Sequence, residues 1–151
     1  MTDNRELYQQ VILEHNRKPR NFGKIETYTH RAHGDNPLCG DAYDVYLSIN
    51  TDGLIEEINF DGHGCAISKA SASMMTAALK GKTVEEAEGL FEEFHQLIMK
   101  KMDPNKDAHN LGKLAVFSGI WQYPARVKCA TLSWHTMKGA LNHTSEITTE
   151  V

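Results

Sequence analysis

Apolar residues recur along this chain with two different periods. Leu7, Tyr8, Val11 and Ile12 fall on one side of a 3.6-residue repeat, so residues 4 to about 15 predict an amphipathic helix that Asp3 or Asn4 caps. The period changes to two at Tyr43, Val45, Leu47 and Ile49, which alternate with Ala42, Asp44, Tyr46 and Ser48. That alternation predicts a strand covered on one face. Asn50-Thr51-Asp52-Gly53 reads as a turn, and residues 54–60 as the return strand of an antiparallel hairpin, with Leu54, Ile58 and Phe60 on a covered face that Glu56 interrupts near the sheet edge. Residues 30–37 predict a short edge strand ended by Pro37.

Helical spacing returns after Asp61-Gly62-His63-Gly64, which is expected to break the strand. Residues 65–79, rich in Ala, Ser and Met, predict a helix that packs closely, with Gly81 as its C′ residue. Thr83-Val84-Glu85-Glu86 has the form of a capping box, and Val84, Ala87, Phe91, Phe94 and Ile98 follow as a stripe that Leu90 and Leu97 widen. Residues 102–110 form a polar loop around Pro104, and 111–117 a shorter helical piece before a turn at Ser118-Gly119. Pro124 suits the first position of a last helix whose core stripe is Ala130, Trp134, Met137 and Leu141. Residues 16–23 read as a loop carrying three cations, and the tail from residue 144 is expected to fray.

Composition narrows the function classes. A chain of 151 residues, 40% hydrophobic and 24% charged, has the size of one globular domain. Its formal charge of −4, without a long basic run, argues against nucleic acid and anionic membrane surfaces as partners. No run of 18 apolar residues occurs, and the N-terminus lacks the pattern of a secretory signal, so the expected location is cytoplasmic. Three cysteines with no Cys-x-x-Cys pair disfavour a disulfide framework and favour reduced thiols acting as metal ligands or nucleophiles.

The candidate chemistry gathers at those thiols. Cys39, Cys65, Cys129 and the nearby carboxylate Asp41 make up the four ligands that a tetrahedral zinc or iron site takes. Cys39 and Asp41 share the parity of Tyr43 and Val45, so an extended backbone starting at Cys39 would send both side chains to the covered face. Cys65 would fall in the first helical turn, where free N–H groups favour a thiolate. Arg126, three residues before Cys129, shares its helix face with that thiol and with Ser133. His63, among glycines, reads as a surface turn residue rather than a ligand.

These segments resemble a known family. Cys39-Gly40-Asp41, Gly64-Cys65-Ala66-Ile67-Ser68 followed by Ala70-Ser71-Ala72-Ser73-Met74-Met75, and Tyr123-Pro124-Ala125-Arg126-Val127-Lys128-Cys129-Ala130-Thr131-Leu132 are similar to the ligand segments of NifU-like N-terminal domain proteins of iron–sulfur cluster biogenesis. Within that family the chain resembles the SufU branch: Lys128 stands where IscU scaffolds have a histidine before the third cysteine, and the stretch between Cys65 and Cys129 is longer. The resemblance covers nearly the whole chain and implies one α+β domain over residues 1–151, a three-stranded antiparallel sheet packed against about five helices.

It also implies zinc held by Cys39, Asp41, Cys65 and Cys129, and a zinc-dependent sulfurtransferase that accepts persulfide sulfur from a SufS-type cysteine desulfurase for a downstream SUF assembly scaffold. Cys39 is the expected nucleophile, and Arg126 is expected to steady the anionic sulfur or orient Asp41. The alternative is a scaffold assembling a transient [2Fe–2S] cluster on the same residues, against which Lys128 counts; a third reading is a purely structural zinc.

Overall fold

In the computed structural model, residues 4–37, 39–144 and 146–148 are described. The alternating segment forms β2, Asp41–Ile49, flanked by β1, His30–Asn36, and β3, Ile55–His63, both antiparallel to it. Val45 and Leu47 are fully buried, as are Phe60 and Ile58 opposite them and Ile55 opposite Ile49. A register shift at Ser48/Ile49 explains the interrupted pattern of the return strand. The bulge brings Ile55, not Leu54, to the covered face and leaves Glu56 and Glu57 together in solvent.

The sheet has four strands and is mixed, where three antiparallel strands were expected. Glu146–Thr148 forms β4, which pairs parallel to β1, so the order is β3-β2-β1-β4 and β1 is not an edge. The described part of the tail is therefore anchored, while Ser145 and residues 149–151 lie outside the described residues. The anchor is local packing: Thr144 N donates to Gly139 O at 2.7 Å, and Ile147 lies against the side of Gly139 where a Cβ would stand 2.8 Å from its Cδ1. Ile147 has a β-branched side chain suited to the pleated surface it joins.

Four α-helices accompany the sheet: α1, Asn4–Arg17; α2, Ala66–Leu79; α3, Val84–Ile98; and α4, Pro124–Leu141. The capping box at Thr83 and Glu86 forms as its spacing predicts. Residues 112–122 make one continuous 3₁₀ helix in place of the expected helical piece and turn. Its buried residues, Leu114, Phe117 and Ile120, recur every three positions, and a helix of three residues per turn aligns that spacing on one face.

The helix α4 is the central element. It packs on β1 and β2 and on α2 and α3, and nearly every residue from Cys129 to Ala140 is buried. Trp134 stacks on Phe94 with centroids 4.7 Å apart. Its neighbour α2 buries the small residues Ala70, Ser71, Ala72 and Ser73, and the Ser71 hydroxyl donates to Ala130 O at 2.5 Å. Small side chains let the two helix axes approach. That approach sets the start of α2 and the start of α4 side by side. No helix among the described residues is long and apolar enough to cross a membrane.

Candidate metal centre

Three chain segments meet at one end of the sheet. The first is the turn between β1 and β2, where Cys39 N and Gly40 N both donate to Asn36 O, at 3.2 and 2.9 Å, and Gly40 takes φ +73°. The strand begins at Asp41 and not at Cys39, so only Asp41 gains the covered face. Asp41 is 1% exposed, whereas Cys39 sits in the turn and is exposed. Parity placed the carboxylate correctly and the thiol incorrectly, because αL geometry at Gly40 ends the alternation one residue early.

The second segment joins β3 to α2. The strand was expected to break at residues 61–64, but it runs through His63, with Gly62 opposite Tyr43 and His63 opposite Ala42. Cys65 is the N-cap of α2, and its Sγ accepts from Ser68 N–H at 3.4 Å. Its own N–H donates to Asp41 Oδ1 at 2.8 Å. The Ser68 hydroxyl donates to Cys65 O at 3.0 Å and meets Tyr43 OH, also at 3.0 Å. Gly64 fits over this cluster because it has no side chain; a Cβ there would stand 2.5 Å from Asp41 Oδ1 and from Ser68 Oγ, and 2.7 Å from Tyr43 OH.

The third segment is the second turn of α4, which carries Cys129, 4% exposed. Its Sγ lies 3.5 Å from Cys39 Sγ, 3.5 Å from Ala125 O and 3.9 Å from Asn36 Nδ2, and the same amide nitrogen is 3.5 Å from Asp41 Oδ2. Ligand atoms of Cys39, Asp41 and Cys129 all lie within 4.8 Å of one another, the one such group of three among the described residues. Cys65 stands beside Cys129 and is tied to Asp41 through its backbone, though its sulfur is outside that group of three.

The donor set fits a dication. Burial, then the neighbouring Cys39 and Cys65 side chains and the Asp41 charge, push the Cys129 thiol well above its ordinary range, so without a cation it stays protonated. A divalent ion reverses that balance, since a coordinated thiol ionises. Zinc–sulfur bonds of about 2.3 Å at tetrahedral angles separate two sulfurs by roughly 3.8 Å, close to the spacing of Cys39 and Cys129.

Above the sulfurs opens a cleft of about 590 Å³, walled by Tyr8, Ile12 and Leu13 of α1 and Ile67 of α2, with Cys39, Cys65, Cys129 and Arg126 on its other side. Arg126 is exposed, its guanidinium 5.4 Å from the centre of the Tyr123 ring, and it has no ion-pair partner among the described residues. Lys128 is exposed as well. His63 is exposed and outside the cluster. Asn36 and Tyr43 had no expected place in the site, and Gly64 and Ser68 fell within a ligand segment without an assigned role. No local signal marked Asn36, whose burial is decided by tertiary packing, and nothing local distinguished Tyr43 from an ordinary core position.

A mixed α+β fold that brings two cysteines and an aspartate together, with a third cysteine alongside, defines a class of protein whose thiol–carboxylate group could hold a metal ion. Residues 7–130 match the NifU-like N terminal domain, and the chain belongs to that family. It is 39% identical over 132 residues to the zinc-dependent sulfurtransferase SufU of Bacillus subtilis, covering 87% of each chain. It is also 34% identical over 139 residues to the iron–sulfur cluster assembly scaffold protein IscU of Streptococcus pyogenes, covering 92% of this chain and 85% of that one. A solved structure from Fervidobacterium islandicum AW-1, named as an iron–sulfur cluster assembly scaffold for the SUF system, superposes with a TM-score of 0.81 at 33% identity, covering 92% of this chain and 99% of that one.

Proposed function

We propose that this chain is a zinc-dependent sulfurtransferase that takes persulfide sulfur from a SufS-type cysteine desulfurase for iron–sulfur cluster assembly. The observation that carries this reading is the unequal exposure of the three thiols. Cys129 is buried in a helix and Cys65 caps one, while Cys39 stands exposed in a turn at the cleft mouth. Cys39, Asp41, Cys65 and Cys129 would hold zinc, whose contribution when bound is to keep thiols ionised at neutral pH.

Cys39 can leave the cluster with little backbone rearrangement, and its sulfur is the one a partner protein can reach. As a thiolate it attacks the outer sulfur of the desulfurase persulfide. A new S–S bond forms on Cys39, the desulfurase S–S bond breaks, and the desulfurase cysteine departs as a thiolate. Asp41, held by Cys65 N–H and Asn36, keeps its place while Cys39 moves. Ile12, Leu13 and Ile67 give the cleft beside the sulfurs an apolar wall against which a partner protein can pack.

Kinship with proteins named IscU supports a second reading, a scaffold on which a [2Fe–2S] cluster assembles. One experiment separates the two: desulfurase turnover and transfer of labelled sulfur, measured with wild type and Cys39→Ala. Sulfurtransferase action requires that wild type raises turnover and carries the label while Cys39→Ala folds and does neither. Full acceptor activity in Cys39→Ala refutes the mechanism; unchanged desulfurase kinetics with wild type, together with cluster transfer to an apo-ferredoxin after anaerobic reconstitution, favours the scaffold.

A further inference from the structure

Three buried side-chain polar atoms have no hydrogen-bond partner among the described residues: the Tyr8 hydroxyl, Ser133 Oγ and Trp134 Nε1. Neither Ser133 nor Trp134 lines the cysteine cleft, but Tyr8 does. A buried hydroxyl without a partner destabilises a fold, so its retention calls for a group that completes it in some working state.

The surroundings of Tyr8 indicate where that group arrives. Its ring packs edge-on against Phe117, with centroids 5.8 Å apart and planes at 84°, which holds the side chain in place. Tyr8 and Ile12, one helical turn apart on α1, present the same face to the cleft that holds the three thiols. Tyr8 also lines a second cavity of about 350 Å³ with Tyr123, Gln122 and Arg126. Tyr8 and Arg126 therefore border both spaces. One offers an O–H and the other a cation without an ion-pair partner among the described residues, and both line the cleft that holds the cysteines.

We propose that the Tyr8 hydroxyl donates a hydrogen bond to the anionic terminal sulfur of the persulfide formed on Cys39, with Arg126 supplying the positive charge beside it. This rests on the sulfurtransferase reading above. A persulfide extends Cys39 by one sulfur into the cleft, where its negative charge would otherwise face the apolar wall of α1. A neutral donor beside that cleft favours the product of the transfer without competing for the metal, since a phenol that keeps its proton is a poor ligand for zinc. The orphaned hydroxyl thus acquires its partner only after sulfur has been received.

The test uses the full chain loaded with zinc and the variant Tyr8→Phe, which keeps the ring and removes only the hydroxyl. Its melting temperature is expected to be unchanged or higher, because an unpaired buried group has gone, and its zinc content in competition with a chromophoric chelator unchanged. Single-turnover transfer from a desulfurase persulfide should slow by about tenfold with the KM for desulfurase unaltered. The Cys39 persulfide, once formed, should show its alkylation midpoint shifted up by about one pH unit. Opposite effects on stability and transfer are what a merely structural tyrosine does not produce. A variant matching wild type in both rate and alkylation midpoint overturns the inference, and so does one that loses zinc and melting temperature together. If wild type itself takes up no sulfur, the sulfurtransferase reading fails first and this inference with it; if wild type transfers and Tyr8→Phe does so equally, only this inference fails.

Discussion

Gly64→Ala tests whether packing alone pre-arranges the candidate metal centre proposed above. The added Cβ would lie 2.5 Å from both Asp41 Oδ1 and Ser68 Oγ and 2.7 Å from Tyr43 OH. None of these tips is free to yield. Asp41 Oδ1 holds the Cys65 N–H at 2.8 Å, and Ser68 Oγ is bound to both Cys65 O and Tyr43 OH. Overpacking of this kind costs about 1–3 kcal/mol, and the stiffer unfolded chain returns about 0.4–1 kcal/mol. The net loss is roughly 1–2 kcal/mol, a fall in melting temperature of roughly 2–8 °C for a chain of this size. Because the displaced atoms are Asp41 and the residues that hold Cys65, zinc affinity should fall with stability. The assay is thermal unfolding by circular dichroism of metal-free protein, paired with chelator competition for zinc. Gly40→Asn is the control, since that glycine has φ +73° but nothing within 4 Å of where a Cβ would stand, and asparagine tolerates such backbone. Wild-type melting and zinc affinity in Gly64→Ala would refute the claim that this close approach builds the site.

Two further outcomes follow from the core and from its histidines. Trp134, fully buried and stacked on Phe94, should cost about 3–5 kcal/mol on Trp134→Ala and much less on Trp134→Phe, which also removes an N–H without a partner among the described residues; urea unfolding that ranks the two equally contradicts this. Burial holds His15, His30 and His135 below the ordinary imidazole range, helped by Arg20 beside His15, His143 beside His30 and His95 beside His135. The unfolded chain then binds more protons below about pH 6.5, so stability falls as pH drops from 7.5 to 5.5. Urea midpoints that rise over that interval would reverse the sign and disprove it.

Local pattern determined much of this protein. The period of two in β2, the stripe of α3, the capping box at Thr83 and the proline that opens α4 all report interactions between residues a few positions apart, and these are written directly in the spacing. The stripes expected for α1 and α4 are not what forms, since Leu7 is exposed and α4 is buried on nearly every side from Cys129 to Ala140. Resemblance of the three cysteine segments to one family was legible for the same reason. Tertiary structure alone decided the rest. The bulge at Ser48/Ile49 chose Ile55 over Leu54, and pairing with β1 turned an apparently fraying tail into β4, because both depend on partners far along the chain. It also ranked the thiols, leaving Cys39 exposed and burying Cys129 against Asn36, and it brought Tyr8 of α1 to the cleft that all three line. Spacing can nominate ligands, but exposure and unsatisfied donors arise only when segments remote in sequence share one small volume.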